Sequence, residues 1–410
     1  MREIDISGSA AAQQRLGRKG LVVFLALLSA FVPLSTDLYL PALPGMTKYF
    51  GVPEYQTNLT LILFLVFYAL ASLVWGPLSD RYGRRPVLLI GLSAYAVAGV
   101  LCAISTDVLE LVGFRVLQAI GAGAAAAIAT AIIKDVYRGR KRETTLALVQ
   151  SMVIISPAVA PMIGALLLNL TSWRGVFVAQ AVLGVVVWGY AVVYQETLAV
   201  RNEGNWFASL LRIGTVLKNP VFARLLLVFS LVAVINMAFI SSSSYIYEQT
   251  FGRSSQAYSY FFAIWAVGLA IGPVIYLTVS RRWSRTSILS VCFGGAVLSG
   301  VLTLWVGGRG PWIFLACMLL CGMANSTMRA PATHLMLDQH QGDAGSASAL
   351  ITAAAMVMGS IGMVIMSLNL TDRVRLIGIM NTGVGILCMV LWLVVALPRL
   401  SAARASGSAG

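Results

Sequence analysis

The chain has 410 residues, of which 59% are hydrophobic and 11% are charged, whereas an ordinary soluble domain has about 25% charged residues. This composition excludes a soluble globular protein and predicts a polytopic membrane protein. The formal net charge of +14 would suggest a nucleic-acid partner for a soluble protein. Here the basic residues lie mostly in loops beside apolar runs, so they indicate membrane orientation. No nucleic-acid partner is therefore expected.

Twelve apolar runs are long enough to cross a bilayer, which takes about 20 residues of helix. Spans 1 to 12 lie near residues 20–41, 57–78, 87–105, 110–133, 144–168, 174–195, 221–247, 257–279, 286–306, 311–336, 344–369 and 375–397. The polar stretch after span 6 divides the chain at its middle. We predict an all-α membrane protein with six-helix bundles at 20–196 and 221–398, a cytoplasmic linker at 197–220, and cytoplasmic tails at 1–19 and 399–410.

Span 1 carries an acid, Asp37, near its outer end. A charge at the centre of a membrane helix costs about 2.5–3.5 kcal/mol on insertion scales, so it needs a partner, a cavity or a function. A desolvated carboxyl can take up and release a proton near physiological pH, which makes Asp37 the candidate proton carrier. The alternative is that Asp37 caps or pairs a helix near Pro41 and stays ionised.

A loop of eleven residues, GPLSDRYGRRP from Gly76 to Pro86, separates spans 2 and 3. Its charges and two glycines predict a sharp, cationic reversal on the cytoplasmic face. We assign gating roles in this loop to Gly76, Asp80, Arg81, Gly83 and Arg84.

The charged residues of this loop are expected to form a latch. Asp80 is expected at the N-terminal end of span 11, where the helix dipole favours an anion. Arg84 or Arg85 is expected to pair with Asp135 or Glu196. The plain alternative, an anchor that follows the positive-inside rule, explains the arginines but not the aspartate.

Spans 4 and 5 hold a buried cation and a proline pair. Arg115 of span 4 lies in the outer half of the membrane, as Asp37 does, so a charge pair between them is possible. The alternative for Arg115 is a structural lock to a carbonyl of span 1 or to Gln118. In span 5, we expect Pro157 and Pro161 to kink the helix and Gly164 to let another helix approach, which is a further gating element.

Polar and aromatic residues within the spans are the candidate substrate contacts. We assign this role to Tyr39, Tyr68, Asn236, Tyr245 and Arg329. Aromatic rings stack on flat or cationic drugs. Arg329 shares a helical face with Asn325 and Thr333, and it either contacts substrate or locks an inner gate. The serines at 241–244 either line a cavity or bond back to their own helix.

The two halves repeat, and their charges give the orientation. The second half carries Arg281-Arg282-Trp283-Ser284-Arg285 where the first half carries its loop motif, without the aspartate and the glycine. Of the 29 Lys and Arg residues, twenty-one fall in the tails and in the even-to-odd loops, and six fall in the opposite loops. This bias predicts that both termini are cytoplasmic. Parallel halves predict a solvent-lined cavity between them.

With these residues in hand, the chain resembles the major facilitator superfamily, whose signature loop is matched from Gly76 to Arg85. Three further stretches resemble its twelve-span drug:proton antiporters. They are Thr36 to Pro41, Arg115 to Gln118 with Gly121 and Gly123, and Ser156-Pro157 with Pro161 and Gly164. Ala344 to Leu350 and the Asp37 segment resemble the bicyclomycin and chloramphenicol resistance subgroup. Ser156 and Ala165 depart from the glycines that are usual in span 5.

The resemblance implies a secondary transporter of the inner membrane that exports small hydrophobic drugs in exchange for protons by alternating access. It also implies that Asp37 and Arg115 couple protons and that the span 5 motif opposes a leak between the halves. The alternative is a proton-coupled or facilitative transporter of an endogenous metabolite, such as an amino acid or a sugar.

The expected partners are a small-molecule substrate, protons and the lipid bilayer, and the expected state is a monomer. The sequence contains no phosphate-binding glycine loop, nucleophile elbow or zinc-protease helix, so we expect no enzyme activity, cofactor or metal.

Overall fold

The structure is a computed structural model that describes residues 15–198, 214–339, 344–368 and 372–396. Within these ranges twelve helices are long and apolar enough to cross a membrane. The predicted all-α membrane fold is therefore confirmed. The predicted tail at 399–410, and most of the predicted tail at 1–19 and linker at 197–220, lie outside the described residues.

Twelve helices, α1 to α12, correspond one to one with the predicted spans. They run Gly17–Asp37 (α1), Glu54–Tyr82 (α2), Arg84–Ile104 (α3), Val108–Val136 (α4), Gly139–Leu170 (α5), Trp173–Val193 (α6), Pro220–Tyr245 (α7), Ser255–Val279 (α8), Arg285–Val306 (α9), Pro311–Leu337 (α10), Ala344–Ser367 (α11) and Arg373–Leu391 (α12). A 3₁₀ turn, Leu40–Ala42, and a short helix, Leu43–Phe50, follow α1, and a π-helical turn, Ile246–Thr250, follows α7.

The chain divides into two compact units with the same helix pairings. Of the described residues, 15–52 and 59–198 form the first unit, and 53–58 and those from 214 onward form the second. In the first unit α1 packs against α5, and α3 packs against α4 and α6. In the second unit the equivalent helices, numbered six higher, pair in the same way. Helix α7 packs against α11, and α9 packs against α10 and α12.

Glycine permits the closest helix contacts, at corresponding places in the two units. A Cβ on Gly164 of α5 would lie 1.8 Å from the carbonyl oxygen of Leu38, and a Cβ on Gly362 of α11 would lie 2.1 Å from that of Val234 in α7. Neighbouring lipid tails are as apolar as leucine, so membrane helices associate through close packing of small residues rather than through the hydrophobic effect. The role predicted for Gly164 in close helix packing has this physical basis.

The predicted eleven-residue loop between spans 2 and 3 is wrong in extent. Helix α2 continues to Tyr82 and α3 begins at Arg84, so Gly83 alone reverses the chain. Gly76 lies inside α2, and it does not contribute to the turn. The apolar-run criterion marks only the length that lipid requires, whereas a polar turn can continue the helix into water with its backbone hydrogen bonds intact.

We expect Gly164→Ala and Gly362→Ala each to destabilise the purified protein by about 1–3 kcal/mol, because the added methyl group meets a backbone carbonyl that has little freedom to move. Gly189→Ala in α6 is the control, since a Cβ there has no neighbour within 4 Å. It should be neutral or stabilising by about 0.5–1 kcal/mol. Thermal unfolding in detergent measures all three, and equal melting temperatures for Gly164→Ala and Gly189→Ala would contradict the packing argument.

Candidate functional site

A fully buried arginine lies at the centre of the first unit. Arg115 of α4 has 0% exposure. Its Nη2 donates to the carbonyl oxygen of Ser35 at 3.1 Å, its Nη1 to Oε1 of Gln118 at 2.7 Å, and its Nε to the carbonyl oxygen of Thr60 at 3.3 Å. Its partners among the described residues are neutral oxygens, with no carboxylate within 4 Å. Dipoles rather than a counter-ion therefore stabilise this charge.

Three aromatic rings surround the same guanidinium. The ring centroids of Phe64, Tyr39 and Phe177 lie 4.1, 4.6 and 5.7 Å from the guanidinium carbon of Arg115. The negative face of an aromatic ring attracts a cation, and the attraction grows when both are shielded from water. Tyr39 is itself fully buried, and its hydroxyl is 3.1 Å from Oγ1 of Thr60. In this structure Tyr39, a candidate substrate contact, packs against Arg115.

The carbonyl that Arg115 binds belongs to the last turn of α1. Helix α1 ends at Asp37, and the last four carbonyls of a helix have no partner within it. Arg115 therefore satisfies an orphan acceptor at the negative end of the helix dipole, which is where a cation is favoured. The cation fixes the end of the helix that carries the acid.

Asp37 does not pair with Arg115, so the predicted charge pair is wrong for this structure. The Asp37 side chain is 6% exposed and accepts a hydrogen bond from Oγ1 of Thr36 at 2.9 Å. Residues two apart on a helix point in nearly opposite directions, so the carboxyl of Asp37 leaves α1 on another side than the side chain of Ser35. Both contacts of the alternative interpretation, to a span 1 carbonyl and to Gln118, are present.

Gln180 of α6 completes this cluster, although it was not among the residues predicted from the sequence. Its Nε2 donates to the carbonyl oxygen of Ser35 at 3.2 Å, and its Oε1 accepts from Nε2 of Gln118 at 3.0 Å. The side chain is 2% exposed. A lone amide in a strongly apolar span was a usable signal, because buried polar side chains need hydrogen-bond partners.

A second cluster of charges lies where α2 meets α3. Nη1 of Arg84 is 2.5 Å from Oδ1 of Asp80, and its Nε is 2.9 Å from Oδ2 of Asp135 near the end of α4. Nη1 also donates to Oγ of Ser79 at 2.6 Å. The predicted pairing of Arg84 with Asp135 is confirmed. The Asp80 side chain is 47% exposed, so it is the accessible member of the cluster.

Glu196, which follows α6, closes the N-terminal end of α3. Its two carboxylate oxygens accept the backbone N–H groups of Arg84 and Arg85, both at 3.0 Å. Gly83 beside it has a φ of +104°, and a Cβ there would lie 2.6 Å from Oε2 of Glu196. Glycine is needed both for the backbone conformation and for the close carboxylate. The carboxylate satisfies N–H groups that the helix leaves free and interacts favourably with the dipole.

The second unit has an ion pair at the corresponding helix ends. Arg285, the first residue of α9, lies 3.5 Å from Asp338, which follows α10, as Arg84 lies beside Asp135. The hydroxyl of Ser284 caps α9 locally, so α9 does not need a distant carboxylate. The second loop also lacks an acid four residues before its arginine. The repeat therefore keeps one ion pair and loses the other elements of the first cluster.

The remaining gating candidates have simpler surroundings. Arg81 is exposed, with its guanidinium carbon 5.5 Å from the ring centroid of Tyr82. Pro157 and Pro161 lie within the uninterrupted helix α5, and Pro161 is buried. Arg81 makes no ion pair with a described residue.

The substrate candidates of the second unit differ in exposure. Asn236 is partly exposed and lines a small recess between α7, α8, α10 and α12. Tyr245 is buried, with the guanidinium carbon of Arg373 at 5.6 Å from its ring centroid. Arg329 is exposed and makes no ion pair with a described residue.

Two further candidates bear on the aromatic and serine predictions. Tyr68 of α2, in the first unit, is 8% exposed. Among the serines of 241–244, Ser241, Ser242 and Ser243 donate to carbonyls three or four residues earlier. That pattern agrees with the interpretation in which they bond back to their own helix.

Comparisons with known proteins agree with this architecture. Residues 25–363 match the family model described as Major Facilitator Superfamily. The chain is 31% identical to the chloramphenicol resistance protein of Pseudomonas aeruginosa over 366 residues, which cover 86% of this chain and 85% of that protein. It is 26% identical to multidrug resistance protein D of Escherichia coli (strain K12) over 383 residues, which cover 92% and 95%. A solved structure of the peptide transporter POT shares the fold, with a TM-score of 0.78 at 13% identity and coverage of 97% and 99%.

We expect Gly83→Ala to destabilise the protein more than Gly139→Ala. Both glycines have positive φ, at +104° and +51°, but a Cβ on Gly139 has open space around it. Gly139→Ala should therefore cost only about 1–2 kcal/mol for the positive φ. At Gly83 the ψ of 153° gives a backbone conformation that is essentially restricted to glycine, and a Cβ would also overlap the Glu196 carboxylate. Thermal unfolding of the purified variants measures the difference. Adding Glu196→Ala to Gly83→Ala should recover part of the loss, and no recovery would contradict the role of the carboxylate.

Proposed function

Because the chain belongs to the Major Facilitator Superfamily, whose members are membrane transporters and not enzymes, we propose that it exports small hydrophobic drugs in exchange for protons. The observation that carries this proposal is the first-unit cluster, in which a buried cation holds the end of the helix that bears a buried acid. Relatives named for chloramphenicol and multidrug resistance support the substrate class.

Asp37 is proposed as the proton carrier. It is a buried acid in a membrane span, and such residues mark proton pathways more often than they serve packing. Arg115 is proposed to act through the backbone rather than by direct pairing, because it binds the carbonyl two residues before Asp37. A shift of this turn on protonation would pass to α2, α4 and α6 through Thr60, Gln118 and Gln180.

Alternating access is the proposed mechanism of transport. The repeated helix pairings support it, since parallel six-helix halves are the construction on which rocking transporters are built. The charge cluster at Asp80, Arg84 and Asp135 is proposed as the latch on the cytoplasmic side. The excess of Lys and Arg in alternate loops supports a multi-pass protein of the inner membrane with both termini in the cytoplasm.

Asp37→Asn should reduce pH-gradient-driven transport of radiolabelled chloramphenicol into everted vesicles by at least about tenfold, because the amide cannot carry a proton. Exchange of chloramphenicol at equal pH should be retained, since it needs no net proton movement. Glu143→Gln on the exposed side of α5 is the matched control and should match the wild type. Undiminished gradient-driven transport by Asp37→Asn would refute proton coupling through this residue, and efflux from everted vesicles instead of uptake would favour a metabolite importer.

Asp80→Asn should shift the protein toward its inward-open state, because it removes the half-exposed member of the Arg84 cluster. A cysteine introduced at the cytoplasmic end of α10 should react with a maleimide up to about fivefold faster, which corresponds to about 1 kcal/mol for an exposed ion pair. The five native cysteines are all buried, so background labelling should be low. Glu143→Gln, which removes an exposed acid of α5 that has no ion pair with a described residue, is the control. Equal labelling of both variants would count against the latch.

A further inference from the structure

A recess in the second unit is lined by polar groups, one of which has no partner among the described residues. It lies between α7, α8, α10 and α12, and it has room for about one water-sized group. Its lining includes Asn236, Phe239, Trp265, Met318, Cys321 and Asn381. The rings of Phe239 and Trp265 lie 4.8 Å apart, so one wall of the recess is aromatic.

Asn381 is the residue that makes this recess unusual. It is 1% exposed, and its Oδ1 accepts no hydrogen bond from any described residue. Its Nδ2 has only a weak contact, to Sδ of Met318 at 4.0 Å. A buried amide oxygen without a partner is destabilising, and nearly all buried polar groups in native proteins have one.

Two more polar groups face the same space. They are the amide of Asn236, which is partly exposed, and the indole of Trp265, which is 3% exposed. Gly322 of α10 packs closely on the same indole, because a Cβ on this residue would lie 2.8 Å from Nε1 of Trp265. The recess thus offers a buried hydrogen-bond acceptor on Asn381 and a donor on the indole of Trp265. The amide of Asn236 can both donate and accept.

We propose that this recess binds a neutral hydroxyl or amide group of the transported drug. No Asp, Glu, Lys, Arg or His is among the described residues that line the recess, so a charged group would enter it without an opposite charge. Its free space admits about one water-sized group, so it suits one small polar group of a drug rather than the whole molecule. The aromatic and thioether walls hold the adjoining apolar part. This inference rests on the proposed export of hydrophobic drugs, and it adds Asn381 and Trp265 as specificity-determining residues.

An amide that has no partner until a ligand binds should lower the melting temperature of the free protein. If Asn381 is unsatisfied in the free protein, Asn381→Leu removes a desolvated amide and fills the space with a side chain of similar size. The variant should then unfold about 2–4 °C higher than the wild type while binding drug less well. If a fixed water satisfies Asn381 instead, removing the amide breaks a structural network and the melting temperature falls.

The experiment measures binding and unfolding of purified protein in detergent, with radiolabelled chloramphenicol and its 3-O-acetyl ester as probes. The ester lacks the primary hydroxyl, so the wild type should bind it about tenfold more weakly, as a hydrogen-bonding site does with an analogue that lacks its donor. Asn381→Leu and Trp265→Phe should each bring the ratio of the two affinities, for chloramphenicol and for the ester, close to one. Asn169→Leu, on the exposed side of α5, is the matched control and should leave the ratio unchanged.

The outcomes separate the two proposals. A lower melting temperature for Asn381→Leu with an unchanged ratio shows a structural, water-bridged amide and overturns this inference alone. An unchanged ratio in Trp265→Phe, which keeps the ring, has the same meaning even if Asn381→Leu fails to fold. No chloramphenicol binding by the wild type overturns both this inference and the drug class of the proposed function. If the wild type shows no pH-gradient-driven transport but the expected difference in affinity for the two probes, proton coupling is overturned and the inference about the recess stands.

Discussion

The end of α1 is the point on which the first unit depends. Inside a membrane no water is available to solvate a charge or an unpaired carbonyl, so each must be satisfied by protein. Arg115 and Gln180 meet both needs at once, because they donate to the carbonyl oxygen of Ser35, which has no partner within its helix. The cation is stabilised by oxygens, by the helix dipole and by three rings, and the helix end is fixed in return.

This arrangement joins two interpretations of Arg115 that the sequence left as alternatives. The structural lock is present in its hydrogen bonds, and the proposed role in proton coupling follows from what is locked. Asp37 is two residues beyond Ser35, so any movement of that turn changes the position of the acid without an ion pair. A direct pair would hold the carboxylate ionised, whereas a backbone connection leaves it free to exchange a proton.

The two units share a scheme of helix packing but differ where α2 meets α3 and where α8 meets α9. Glycines at corresponding places let α5 approach α1 and α11 approach α7, and arginines that open α3 and α9 reach acids at the ends of α4 and α10. Only the first unit adds Asp80, the reversed backbone at Gly83 and the distant carboxylate of Glu196. This asymmetry is consistent with a latch whose moving part belongs to one unit.

Span number, the repeat and the family were readable from the amino-acid sequence, because the bilayer imposes a fixed length of apolar helix and because the charges of short loops follow the membrane orientation. The chemical type of the key residues was readable too, since an acid such as Asp37 or a cation such as Arg115 stands out in an apolar span. Their partners were not. Whether Arg115 meets Asp37 or the carbonyl of Ser35 depends on where the side chains of four helices point, and Gln180 and Asn381 acquire meaning only from neighbours far along the chain. Those relations follow from packing in three dimensions, which the pattern of one sequence does not encode.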